Sequence, residues 1–134
     1  MRRAGDIRSE HGQTAVEFAL VVPILAVLLL AVIQVGIAFN HYVTLTDAAR
    51  AGARKAIVAR LAGGSTADSE QAVRDAASDL DQTALKVSVT ASDWTKSGST
   101  VTVTAKYPYE INIPLLGVNL MQGDLTSTMK ERLE

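Results

Sequence analysis

The sequence predicts an α+β protein built from a long N-terminal helix (transmembrane, then amphipathic), a second short helix and a three-stranded antiparallel β-meander. Three observations lead to this fold class. An uncharged apolar run occupies residues 18–38, and a helical spacing of small residues follows it. From about residue 85 the apolar residues instead alternate with polar ones, as in strands. The predicted segments are a polar leader (1–12), a transmembrane helix (13–39), an amphipathic helix extension (40–62) and a small extracytoplasmic α+β domain (63–134).

The composition limits the classes of function. The chain has 134 residues, enough for one domain and one anchor, and its formal net charge is −1. Such a charge balance gives no general attraction to nucleic acid. The sequence contains no cysteine, which excludes disulfides and thiolate metal sites. His11 and His41 lack a ligand-like spacing, and no nucleophile stands beside a base, so we expect no metal, no cofactor and no enzymatic activity.

The apolar run is long enough to cross a bilayer. Phe18 to Ala38 comprises 21 residues without a formal charge. At about 1.5 Å per residue this length covers the roughly 30 Å of the hydrocarbon layer. A buried helix of a soluble domain is the alternative, but so small a domain has too little chain to cover it on all sides. Pro23 removes one backbone donor, so we expect a kink at this position.

After the apolar run the sequence remains compatible with a helix but becomes amphipathic. Ala48, Gly52 and Ala56 recur at every fourth position, and we refer to them as the small-residue stripe. Such a stripe lets another helix or a sheet approach closely. No strong breaker precedes Gly63-Gly64, so one helix is expected from about residue 14 to residue 62.

A second helix is predicted after this glycine pair. Ser65 with Asp68 matches a capping box, and Asp68 with Gln71 offers an alternative start. Apolar residues at helical spacing then continue the pattern, so a helix is expected near 67–82.

The last third of the chain predicts the meander. Strands are expected at Leu85–Ala91, Val101–Tyr107 and Leu125–Arg132, with a loop around Leu115 and Leu116 after Pro114. Trp94, Tyr107 and Tyr109 are the aromatic residues of this region. They either close the open edge of the small sheet or form a contact patch for a partner.

Glu17 is a carboxylate at the start of the apolar run, and two explanations remain open. Near the start of a span it can reach the headgroup region at low cost. Alternatively, a peptidase cuts after Gly12, which gives Gln13 a charged α-amine one helical turn before Glu17. The dipole of a helix favours a carboxylate in its first turn, where Glu17 can pair with this amine or with that of a neighbouring subunit.

The segment GQTAVEF, Gly12 to Phe18, resembles the processing site of type IV pilin-like proteins. More specifically, residues 9–57, which include DAARAGA, resemble the TadE-like proteins, minor pilins or pseudopilins of the tight-adherence (Flp) pilus. VTVTAKYPYEINIPLLG and the closing LTSTMKERLE also resemble the end of that family. The resemblance implies cleavage between Gly12 and Gln13 by a prepilin peptidase, with Glu17 as the carboxylate that sets subunit register.

The resemblance also implies a location and partners. The chain would be a single-pass protein of the bacterial cytoplasmic (inner) membrane, with its N-terminus inside and its C-terminal domain outside, and could be incorporated in a surface pilus used for cell adhesion. The implied partners are pilin or other minor pilin subunits, the prepilin peptidase, the inner-membrane assembly platform and the lipid bilayer. Because the chain is longer than a major Flp pilin, we predict a minor role.

Two other functions remain open from the sequence. One is a single-pass anchored structural envelope protein unrelated to a pilus. The other is a secreted protein whose signal peptide ends at Gly36-Ile37-Ala38, although the apolar run exceeds the 7–15 residues of a signal-peptide core. The mature N-terminus separates the three hypotheses, because it would be Gln13, Met1 or Phe39 respectively.

Overall fold

A computed structural model describes the backbone of residues 6–113 and 117–133, and the side chains of 12–112, 117, 119 and 121–133. The elements in chain order are helix α1 (Asp6–Leu61), helix α2 (Thr66–Ala76) and strands β1 (Lys86–Ala91), β2 (Thr100–Ile113) and β3 (Val118–Arg132). The strands form one antiparallel sheet in the order β1-β2-β3. The predicted α+β class, with a long helix, a short helix and a three-stranded meander, is therefore confirmed.

Helix α1 begins earlier than predicted. It starts at Asp6 rather than near residue 14, so the second half of the predicted leader is helical. A single glycine costs a helix interior only about 1 kcal/mol, and the helix continues through Gly12. Pro23 also lies inside this uninterrupted helix. The first five residues of the predicted leader lie outside the described residues.

Helix α2 ends six residues before its predicted end at residue 82, so that prediction was wrong. Its start agrees with the predicted capping box of Ser65 and Asp68: the backbone N–H of Ser65 donates to Oδ2 of Asp68 at 2.7 Å. After Ala76 the side chain of Gln82 donates to the carbonyls of Ala77 and Leu80, at 2.7 and 3.1 Å. These bonds satisfy carbonyls that a longer helix would have used, and the resulting turn buries Leu80 in the core.

The hairpin of β2 and β3 is longer than predicted. The sequence placed the end of β2 at Tyr107, but the strand continues through Pro108 to Ile113. Strand β1 pairs with β2 only as far as Lys106, so Pro108 stands where β2 has a neighbour on one side alone. Proline is tolerated at such an open edge because no ladder hydrogen bond is lost there. The predicted loop at Leu115 and Leu116 lies outside the described residues.

The core lies between the second half of α1, helix α2 and one face of the sheet. Leu45 of α1 and Val73 of α2 are fully buried against Val101 and Val103 of β2, and Leu133 closes the far end. Alternate residues of β2 face this core, which explains the period of two in the sequence. The second half of α1 is thus part of the domain.

Candidate functional site

The first half of α1 exposes apolar side chains on every face. Phe18 is 69% exposed and Leu28 is 58% exposed. The most apolar window of this helix has none of its residues buried within the chain. By length and composition, the described part of the chain thus contains one helix that can span a membrane. Large apolar surfaces of this kind mark contact with lipid or with another protein.

The predicted cleavage and register residues lie at the start of this surface. Gln13 and Glu17 face each other one turn apart, and Nε2 of Gln13 donates to Oε1 of Glu17 at 3.0 Å. Gly12 is exposed, and a methyl group added to it would meet no atom within 4 Å among the described residues. Packing of the described residues therefore gives no reason for a glycine at this position.

The small-residue stripe lies on the opposite half of α1, in the core. Ala48, Gly52 and Ala56 are buried. A Cβ added at Gly52 would overlap Cγ2 of Val73 and come within 3.3 Å of Cγ1 of Val103. The sequence left open whether a helix or a sheet approaches the stripe. In the structure α2 and β2 of the same chain both contact it.

Helix α2 is fastened to the stripe by a hydrogen bond. The buried hydroxyl of Ser69 donates to the carbonyl of Gly52 at 2.7 Å. Glycine favours this close approach of the two helices, because an added Cβ would lie 3.2 Å from the carbonyl oxygen of Ser69, closer than most Cβ contacts. Packing within the chain therefore explains the glycine at the centre of the stripe.

The aromatic residues make contacts within the chain. Nε1 of Trp94 donates to the carbonyl of Gly64 at 3.1 Å, which ties the loop after β1 to the turn between α1 and α2. The ring of Tyr107 meets His41 edge to face with 5.3 Å between ring centroids. The Tyr109 ring lies over Gly123 of β3, where an added Cβ would stand 3.1 Å from its Cε1.

Local hydrogen bonds lower the pKa of two carboxylates in the domain. The hydroxyl and backbone N–H of Thr83 both donate to Asp81, which lowers the pKa of Asp81 below its ordinary value. Thr95 does the same for the pKa of Asp93. Asp81 is exposed and Asp93 is partly exposed, and both carboxylates stabilise turns. The side chains that the structure describes include no group of three or more His, Asp or Glu placed to hold a metal ion.

One contact near the end of the apolar run was missed in the sequence. Nε2 of Gln34 donates to the backbone carbonyl of Asn112, 78 residues away. Gln34, Ile37 and His41 of α1 then line a shallow cavity of about 210 Å³ with Tyr107 and Tyr109 of β2. Only the presence of a polar residue in an apolar run could have drawn attention to Gln34.

These features define a class of protein: a helix with a candidate membrane span, whose continuation carries a small α+β domain. Residues 12–54 of the chain match the family model described as TadE-like protein. The match includes Gly12, Gln13, Glu17 and most of the small-residue stripe, and it confirms over this segment the resemblance seen in the sequence. Ala56, helix α2 and the sheet lie beyond it. No curated protein and no solved structure matches the chain.

Proposed function

We propose that this chain is a minor pilin or pseudopilin-like component that assists assembly of a Tad (Flp) pilus or a related secretion machine. The match to the TadE-like family indicates a component associated with the Tad pilus. The folded domain extends well beyond a bare helix, which favours a minor subunit over a repeated major one. The apolar surface of α1 supplies the means of packing in lipid and beside other subunits.

The observation that carries the proposal is the arrangement of Gly12, Gln13 and Glu17. Cleavage after Gly12 would convert Gln13 into the first residue of the mature helix. Its α-amine would then stand one turn from the carboxylate that the Gln13 side chain already contacts. A charge pair of this kind at the start of an apolar helix supplies a polar contact that neighbouring subunits can exchange.

The topology that we propose rests on the family resemblance, which implies an N-terminus on the cytoplasmic side of the membrane. The leader remains in the cytoplasm, where a prepilin peptidase of the inner membrane removes it, and the C-terminal domain lies outside. The proposed partners of the lipid-embedded helix are the assembly platform and pilin or other minor pilin subunits. The exposed side chains between Val16 and Phe39 are the surface for these contacts.

Processing tests the proposal directly. In a strain with the prepilin peptidase, the membrane-bound protein should begin at Gln13, as measured by intact mass and N-terminal sequencing. Gly12→Leu should block the cut, because a bulky side chain fills the space that the peptidase keeps for the residue before the bond. Gly36→Leu is the matched control, since a Cβ at Gly36 also meets no described atom within 4 Å; it should be cut normally.

Other mature ends would favour other functions. A membrane-bound protein that begins at Met1 in the presence of the peptidase would favour an anchored structural envelope protein outside any pilus. A released protein that begins at Phe39 would favour a secreted one. Equal mature masses for the wild type and Gly12→Leu would contradict the proposed processing site.

A further inference from the structure

The hairpin of β2 and β3 reaches the level of the apolar run of α1. Near the end of β2, the carbonyl of Asn112 accepts a hydrogen bond from Gln34 and is held at that level. Gln34 stands four residues before Ala38, the last residue of the uncharged run. At about 1.5 Å per residue this places the contact roughly 6 Å inside the apolar end of the helix.

The end of this hairpin has one polar face and one apolar face. Tyr107, Tyr109 and Ile111 of β2 alternate with Pro108 and Glu110. Met121, which pairs with Ile111, continues the apolar face on β3. Towards the core this face is covered by α1, but at the end of the hairpin Met121 is 59% exposed.

Along the helix axis the hairpin residues change from tyrosine to aliphatic, the order expected on passing from the headgroups into a membrane. Tyr107 meets His41, three residues beyond Ala38 and therefore about 5 Å outside the apolar run. Tyrosine is enriched at the headgroup level. Ile111 precedes Asn112 and pairs with Met121, so both lie further towards Gln34 than Tyr107 does. Interfacial segments bury their apolar face about 5–10 Å deep.

We propose that the hairpin surface at Ile111 and Met121 is a second membrane contact, seated in the interface of the leaflet that the helix leaves. The occupant of its apolar face is lipid, because the contact with Gln34 makes this face continuous with the apolar surface of α1. Gln34 is a positioning residue, because the hydrogen bond from its side-chain amide to the carbonyl of Asn112 holds the hairpin at this depth. The inference rests on the membrane anchoring in the proposed function.

The pairing of the two strands also suits an interfacial position. The register of β2 against β3 shifts between Ile111 and Asn112. Among the described residues, no strand pairs with the outer edge of β2 beyond Lys106. Backbone groups at an open edge are costly in hydrocarbon but can bind water in the headgroup region. The hairpin is therefore expected to lie in the interface and not to cross the leaflet.

Fluorescent probes test this contact in the intact chain, which has no cysteine of its own. Single-cysteine variants Met121→Cys, Lys130→Cys and Leu28→Cys would each carry the dye NBD in phosphatidylcholine vesicles. Lys130 is exposed on the same strand, nine residues from Met121 and about 30 Å along it. Quenching by spin labels high on the lipid acyl chains and by aqueous iodide is then compared.

The expected result is lipid quenching with iodide protection at positions 121 and 28, and iodide quenching alone at position 130. Iodide quenching without lipid quenching at 121 overturns the proposal. Protection from both quenchers at 121 also overturns it, because a protein surface would then cover the face. If the probe at 28 escapes lipid quenching, the anchor itself is refuted, and with it the proposed function.

Gln34→Leu tests the positioning role. The substitution keeps the helix apolar but removes the donor to Asn112, so lipid quenching at position 121 should fall while quenching at position 28 is unchanged. Unchanged quenching at 121 in Gln34→Leu would refute the role of Gln34. Gln34→Asn keeps an amide on a shorter side chain and should restore part of the lipid quenching.

Discussion

The two halves of α1 differ in side-chain size and in what covers them. From residue 16 to residue 39 the helix carries large apolar side chains that remain exposed within the chain, such as Phe18 and Leu28. From residue 45 onward its inner side carries alanine, glycine and one leucine, and these are buried under α2 and the sheet. The second half of this continuous helix therefore packs against the rest of the chain, whereas the first half is free to pack against lipid or other subunits.

This difference separates two kinds of mutational effect. Large side chains without intrachain cover contribute little to the stability of the domain, but they are available to lipid and to other subunits. Small buried side chains contribute to the stability of the domain through close packing, so the addition of a single methyl group changes that stability. Changes in the first half should alter assembly and leave the domain stable, and changes in the second half should do the reverse.

The largest expected effect concerns Glu17 in the exposed half. Glu17→Gln should be processed and inserted normally but should fail to support pilus assembly. If Glu17 pairs with the amine of a neighbouring subunit, the change leaves that amine without its partner, and breaking a poorly solvated pair costs about 3–5 kcal/mol. Cleavage, membrane level and surface pili are measured in one strain. Glu131→Gln, an exposed glutamate of β3, is the matched control.

The outcome for Glu17 bears on the comparison itself. Loss of pili together with unchanged unfolding of the domain would show that Glu17 acts between subunits, as expected for a residue in the exposed half of α1. Normal piliation at a normal protein level would contradict a register role and leave Glu17 as an interfacial carboxylate.

A smaller effect is expected from a leucine in the covered half. Leu45 is 0% exposed, and Leu45→Ala should lower the free energy of unfolding by about 2–5 kcal/mol because it leaves a cavity in the core. Leu61→Ala is the matched control: Leu61 lies on the same helix but is 72% exposed, so its removal should change stability by less than about 0.5 kcal/mol. Fluorescence of Trp94, the single tryptophan, reports unfolding. Equal losses in both variants would contradict the assigned core.

Most elements of the fold could be predicted because local patterns determine them. The apolar run and the stripe indicated one long helix, Ser65 with Asp68 marked the start of the second, and alternation indicated the strands. Element ends were harder. Helix α2 ends where the side chain of Gln82 bonds two carbonyls, and β2 runs past Pro108 because β1 has already ended. Both outcomes depend on neighbours in space.

The candidate site was predictable only in part for the same reason. Gly12, Gln13 and Glu17 lie within one and a half helical turns, so their proximity follows from helical geometry alone. The contact of Gln34 with Asn112 joins residues 78 positions apart, and no periodicity encodes it. The sequence likewise could not say which elements cover Gly52.

The smallest expected effect tests the close approach at Gly52. Gly52→Ala adds a methyl group that overlaps Cγ2 of Val73, and overpacking of this kind costs about 1–3 kcal/mol. Alanine also favours a helix over glycine by about 1 kcal/mol, so the net loss of unfolding free energy should be at most about 2 kcal/mol. Trp94 fluorescence measures it. Gly36→Ala, in the exposed half, should leave domain unfolding unchanged.

A second background decides whether the overlap with Val73 is the cause. Val73→Ala removes the methyl group that the new Cβ would meet, so in this background Gly52→Ala fills space and keeps its helix-forming advantage. The same substitution should then raise the free energy of unfolding, with a coupling between the two sites of about 0.5–3 kcal/mol. If Gly52→Ala destabilises both backgrounds equally, the constraint comes from elsewhere. The carbonyl of Ser69, at 3.2 Å from the added Cβ, would then be the group that requires glycine.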